Sequence, residues 1–129
     1  MRKILFYMMS LVLVAGCKKP VDQAEVVGQV AKTCYDYLLK GEYEAFVDCA
    51  WHEDSIRPFY RTQLVENAKM FMAQQKKEHN GISSAEVLEV KIDTAEHAAN
   101  VFMRLHYGDK TSERVLLPMV EHEGTWYMR

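Results

Sequence analysis

His52 and Asp54 stand two residues apart in His52-Glu53-Asp54-Ser55, a pairing that can do acid–base chemistry. A carboxylate beside an imidazole orients the ring and stabilises its cation, so such a pair can take up and return a proton. Tyr35, Tyr60 and Tyr107 supply phenols able to donate to a developing oxyanion. The plainer reading of the four residues is a solvated loop in which Asp54 or Ser55 caps the helix that follows. Metal chemistry has less to stand on. His52, His79, His97, His106 and His122 are scattered, with no His-x-x-x-His or Cys-x-x-Cys spacing, and neither a metal nor a cofactor is expected. If the second hairpin turns about Asp109-Lys110, His97 opposes His122 and His106 opposes Glu113, as paired surface residues.

Cys17 carries a different chemistry. Arg2 and Lys3 form a basic start, Ile4 to Val14 an apolar run, and Ala15 and Gly16 the small residues that a signal peptidase requires. As a helix the run is about 17 Å long, short of the roughly 30 Å hydrocarbon core, so it is not expected to span a bilayer. The leader Val14-Ala15-Gly16-Cys17 resembles the lipobox of bacterial lipoproteins. That resemblance implies removal of residues 1–16 and acylation of Cys17, with the lipid bilayer as partner. Residues 17–23 would be a lipidated tether and 24–129 the folded domain. Lys18 after the lipidated cysteine, rather than an Asp, implies the outer membrane of the cell envelope.

Removing residues 1–16 from the 129 leaves 113, enough for one domain. The 16 basic residues fall to 14 against 18 acidic, a net charge of −4. No basic stripe with interleaved aromatics appears, and nucleic-acid binding is disfavoured. With Cys17 acylated, Cys34 and Cys49 remain in a compartment where disulfides persist. They sit at similar heights on two helices joined at Lys40-Gly41, so a disulfide is sterically feasible; burial as two small free thiols is the preferred alternative.

Apolar residues recur at helical spacing from Val21 to Leu39, then from Glu42 to Trp51, and again from Ser55 to about His79, with Pro58 in the first turn. Beyond Gly81 the period falls to two: Ser84 to Ile92 alternates through Leu88, Val90 and Ile92, Ala98 to Tyr107 through Val101, Met103 and Leu105. Glu113 to Glu121 is nearly continuous in apolar residues, and Thr125 to Arg129 closes the chain. Tight turns at Gly108-Asp109-Lys110 and Glu123-Gly124 make the sheet an antiparallel meander of about four strands. Helices first and strands afterwards give an α+β class. The run Val115-Leu116-Leu117-Pro118-Met119-Val120 does not alternate, which predicts that its second face is covered, and Pro118 reads as a bulge that curves the sheet.

Tyr35-Asp36-Tyr37-Leu38-Leu39-Lys40-Gly41-Glu42-Tyr43-Glu44-Ala45-Phe46, Gly81-Ile82, Leu105-His106-Tyr107-Gly108-Asp109-Lys110-Thr111 and Gly124-Thr125-Trp126-Tyr127 together resemble the nuclear transport factor 2-like fold. Within it the likeness is to small bacterial lipoproteins of a domain-of-unknown-function family, some of whose relatives carry a lumazine-binding label. The resemblance implies N-terminal helices packed on a curved sheet as a cone, with a pocket at its wide end. Members include isomerases and dehydratases, but no complete catalytic set of either can be laid on this chain, and no catalytic residue is assigned.

Tyr35, Phe46, Trp51, His52, Asp54, Tyr60 and Phe71 are the candidate pocket residues, although most large side chains of so small a domain must fill its core. The expectation is a membrane-anchored, non-enzymatic module that binds a small hydrophobic ligand, pairs with a second copy, or docks an envelope protein. An isomerase- or dehydratase-type enzyme in the same pocket is the alternative. Replacing Cys17 with Ala should move the protein from the membrane to the soluble fraction of a bacterial lysate; a variant that still sediments with membranes would overturn the tether.

Overall fold

The computed structural model describes residues 22–52 and 57–129, so the leader, Cys17, Asp54 and Ser55 lie outside the described residues. Helix α1 (Gln23–Leu39) starts where the Asp22 carboxylate accepts the Ala24 N–H at 3.1 Å. Its buried residues Val27, Ala31, Cys34 and Leu38 recur at three and four positions and form one apolar face. The helix closes when Glu42 N–H donates to the Tyr37 carbonyl at 2.8 Å, with Gly41 at φ +80°, a conformation glycine adopts without penalty.

Helix α2 (Tyr43–Asp48) is shorter than the sequence pattern suggests. Residues 49–51 do not continue it because they pair with the end of the chain: Trp51 N–H donates to the Met128 carbonyl at 2.8 Å, and Met128 N–H to the Cys49 carbonyl at 2.7 Å. Ala50 makes a parallel bridge to Met128. Helix α3 (Pro58–His79) begins at its proline. Arg57 is extended at φ −64° and ψ 144°, as the residue before a proline must be to clear the ring.

The four strands β1 (Ile82–Asp93), β2 (Ala98–Tyr107), β3 (Ser112–His122) and β4 (Thr125–Met128) form an antiparallel sheet in chain order. This is the α+β meander that the change of period implies. Strict alternation in β2 buries Ala99, Val101, Met103, Leu105 and Tyr107 on one face. They pack with Met119, Trp126 and Met128 against Val27, Ala31 and Cys34 of α1. Each large apolar side chain so buried contributes about 1.5–3 kcal/mol.

Three local readings change. The irregularities lie in β1, between Ile82 and Ser84 and between Val87 and Glu89, while Pro118 faces Asn100 in unbroken register with β2. The Pro118 carbonyl accepts from Arg129 N–H at 3.0 Å, so its missing donor points to the side where β4 ends and not towards β2. The second bulge extrudes Leu88, 39% exposed, from the set expected to include it; Val87, Val90 and Ile92 pack on the core instead. On the outer face of β3, Leu116 is 52% exposed and no element of the described chain covers it. Opposite it, Phe102 lies beneath the cations of Lys91 and Arg114, at 5.5 and 4.9 Å from the ring centroid.

The hairpin between β2 and β3 turns through Gly108-Asp109-Lys110, with Lys110 at φ +71°. Its register differs by one from that assumed, so His106 faces Ser112 and Leu105 faces Glu113. Among the described residues no two histidines pair. His97 lies 3.2 Å from Glu121 and His106 3.0 Å from Glu86.

Cys34 and Cys49 form a disulfide with Cα atoms 6.0 Å apart, in place of two free thiols. The helical hairpin brings them together because Cys49 sits just past the end of α2, held there by its bond from Met128. Alkylation without reductant should leave both thiols unlabelled in the mass spectrum of the intact protein. Cutting this link of 15-residue separation should cost roughly 3 kcal/mol in urea unfolding; full labelling without reductant would refute the bridge.

Candidate functional site

A groove of about 360 Å³ lies between the three helices and the end of the sheet. Helix α1 contributes Tyr35 and Leu38, α2 Phe46 and Val47, and α3 Leu64, Asn67, Ala68 and Phe71; Ala50 and Met128 close it. Its size falls in the range of small-molecule pockets. The groove exists because α3 is held at its two ends more than along its length. Near its start Arg61 forms a forked pair with Asp48 of α2, one arm at 3.1 Å, with Glu44 3.8 Å from Nε. At its far end the β2–β3 turn takes hold: Asp109 N–H donates to the His79 carbonyl at 3.0 Å and Gly108 N–H to the Gly81 carbonyl at 2.8 Å. The His79 ring stacks on Tyr107 at 4.1 Å and lies 3.4 Å from the Asp109 carboxylate. A β-carbon at Gly108 would run into the Asn80 carbonyl oxygen, so glycine is required for this approach. Between those anchors a 22-residue helix buries only Ala68, and Phe71 remains 40% exposed along the groove.

Of the candidate pocket residues, the fold brings Tyr35, Phe46 and Phe71 together. Tyr35 meets Phe46 edge-on, with centroids 6.3 Å apart. Trp51 turns away and stacks on His122 at 3.6 Å, because Cys49 to Trp51 run alongside β4. Tyr60 is 52% exposed. His52 is half-buried near Asp48, and its Nε2 has no hydrogen-bond partner among the described residues. Asp54 lies outside the described residues, and with it the proposed imidazole–carboxylate pair. Sequence reasoning missed Leu64 and Ala68, which share the inward face of α3 with Phe71. Met128 carries no local signal, since only the pairing of residues 49–51 with the chain end brings it there.

The polar groups are tuned by these same contacts. The Arg61 hydrogen bond, with its charge and that of His52, holds the Asp48 carboxyl below the usual range. Asp109 is lowered by its bonds from the Thr111 hydroxyl and backbone N–H, then by His79. Burial alone raises the Tyr35 phenol. Tyr107 is pushed up to about 12 by burial first, then by the 2.6 Å bond it donates to Glu113 and by the charges of Glu113, Asp109 and Tyr35. Both phenols are therefore donors at neutral pH. Among the described residues no group of three or more metal-ligating side chains occurs, and no helix is long and apolar enough to cross a membrane.

No family model and no curated protein sequence matches the chain. Among solved structures it is similar to a protein from Campylobacter jejuni described as an NTF2-like transpeptidase. The TM-score is 0.62 at 12% identity, over 78% of this chain and 94% of that one. It is also similar to a SEC-C motif-containing protein from Rhodopseudomonas palustris, with TM-score 0.50 at 12% identity, over 77% and 71%. The chain has the nuclear transport factor 2-like fold, and at this identity the likeness shows fold and no activity.

Because Tyr107 keeps its proton more tightly when folded, the stability this gives is complete below pH ~10, the unfolded phenol's value, and is lost as pH rises through about 12. Glu113→Gln removes the negative charge at the bond and should make Tyr107 ionise at lower pH, toward but not at the ordinary value. Tyrosine ring NMR across alkaline pH reads this directly; an unmoved titration would show that Glu113 has no hold on the phenol.

Proposed function

We propose that the chain is the binding domain of a bacterial envelope lipoprotein, acylated at Cys17 and held close to the outer membrane, which takes a small hydrophobic ligand into the groove under α3. The tether rests on the leader sequence and on Lys18 after the cysteine. The groove carries the binding part: around 360 Å³ its described lining is apolar except for the Tyr35 phenol and the Asn67 amide. Apolar walls with few polar groups give affinity by burial and orientation by hydrogen bonding. An isomerase- or dehydratase-type enzyme is the alternative; the isomerase of this kind uses a carboxylate base facing such a space, whereas the described lining offers a phenol and an amide.

One observation favours a second reading, docking of another copy or of an envelope protein on the sheet. Leu116 is exposed beside Phe102 on the outer face, where the long side chains of Lys91 and Arg114 are the cover. Ligand binding is distinguished from it by thermal-shift screening with pterins, flavins, steroids and lipids. A compound at a hundredfold its Kd should raise Tm by roughly 10 °C. Leu64→Trp, which fills the groove, should remove that gain; a screen without any shift would count against the binding reading.

A further inference from the structure

Among the described residues the groove's lining contains no lysine, arginine or histidine and no carboxylate, and Tyr35 and Asn67 are its polar members. A ligand bearing a charge there would lose its water and find no counter-ion, which costs far more than burying a neutral oxygen. Of the cations on α3, Arg61 is committed to Asp48 and Glu44, and Lys69 lies 3.4 Å from Glu66. Asn67 Oδ1 accepts from Gln63 at 3.0 Å, which leaves its amide N–H₂ as a donor at the exposed edge of the groove. The Tyr35 hydroxyl is uncommitted: among the described residues it makes no hydrogen bond, and burial alone shifts its titration. A half-buried phenol that keeps its proton is a donor waiting for an acceptor. Size and shape narrow the ligand further. The groove measures about 360 Å³, the scale of a small molecule and not of a large ring system. The inward face of α3 from Leu64 to Phe71 runs about 10 Å along the groove.

Resting on the binding reading above, we propose that the groove selects uncharged single-chain amphiphiles of medium chain length, matched to the run of α3 from Leu64 to Phe71. Their terminal ester, amide or alcohol oxygen accepts a hydrogen bond from Tyr35, and the corresponding free fatty acids are excluded. The acyl chain lies against Phe46, Leu64 and Phe71, covering the part of Phe71 that water reaches in the empty groove. Selectivity between ester and acid follows from a described lining without a cation, and the polar end is placed by Tyr35, the more buried of the two donors.

The test uses the purified full chain carrying ¹³C-labelled methionine methyl groups. Met128 lines the groove and reports occupancy, while the fully buried Met103 and Met119 of the sheet report any disturbance of the core. Methyl decanoate, decanoate and decane are titrated at pH 7. The expected result is a saturable shift of the Met128 signal with the ester and the alkane, and affinity for decanoate at least about tenfold weaker than for the ester. Tyr35→Phe should weaken the ester about 2- to 12-fold and leave decane unchanged. Equal affinity for decanoate and its ester overturns the charge selection. An ester affinity indifferent to Tyr35→Phe, or an equal loss for decane, overturns the role of the hydroxyl. If none of the three probes moves Met128, the binding reading itself fails, a result distinct from binding without the proposed selectivity.

Discussion

One helical face meeting one sheet face organises the whole chain. Val27, Ala31 and Cys34 of α1 lie on the alternating inward residues of β2 and their neighbours, and the most deeply buried side chains belong to this contact. Gly28 lies on the same face, where an added β-carbon would stand in ordinary van der Waals contact with Val90 at 3.4 Å. Once α1 is seated, the rest has little freedom. The disulfide fixes α2 to it, and the backbone bonds of Cys49 and Trp51 to Met128 weld that helical hairpin to the last strand. The short strand β4, which alone would be a weak edge, thereby gains a neighbour on its free side.

The third helix obeys a different constraint. Its amphipathic pattern is weak, and only Ala68 is buried, so burial does not hold it down along its length. The ion pair of Arg61 and the grip of the β2–β3 turn on His79 hold its ends, and the space beneath its middle follows from that suspension. Such a helix gives up stability for access. Loosely packed elements occupy the low-stability end of a structure, where ligand entry is found. Fold and groove are thus consequences of two packing regimes, a dense contact for α1 and a pinned span for α3.

Much of this was legible before any coordinates. The change from helical to alternating period at Gly81, the turns at Gly108 and Glu123-Gly124, and the apolar stripe of α1 led to the α+β meander directly. The misreadings share a cause. Leu88 alternates with Val90 and Ile92 in the sequence, but a bulge breaks the parity, and a bulge leaves no mark in residue type. Pro118 has three structural uses, edge, bulge or bend, and its type alone cannot choose among them. Trp51 completes a helical face in projection and is drawn off it by a partner 77 residues further along the chain. Tyr35, Phe46 and Phe71 were candidates as aromatics at helical spacing; that they share a cavity was not in the spacing.

By itself, then, the sequence determined what depends on neighbours along the chain: the class and order of elements, the turns, and the apolar face that α1 would bury. These are local properties, set by side-chain period and backbone preference within a dozen or so residues. Tertiary structure alone decided that Cys34 meets Cys49, that β2 and β3 pair in a register which puts His97 beside Glu121 and not beside His122, and that α3 stands off the core. Each of these is a contact between segments whose separation carries no periodic signal. Each is settled by the competition of many packing arrangements for one small interior, which no single stretch of residues encodes.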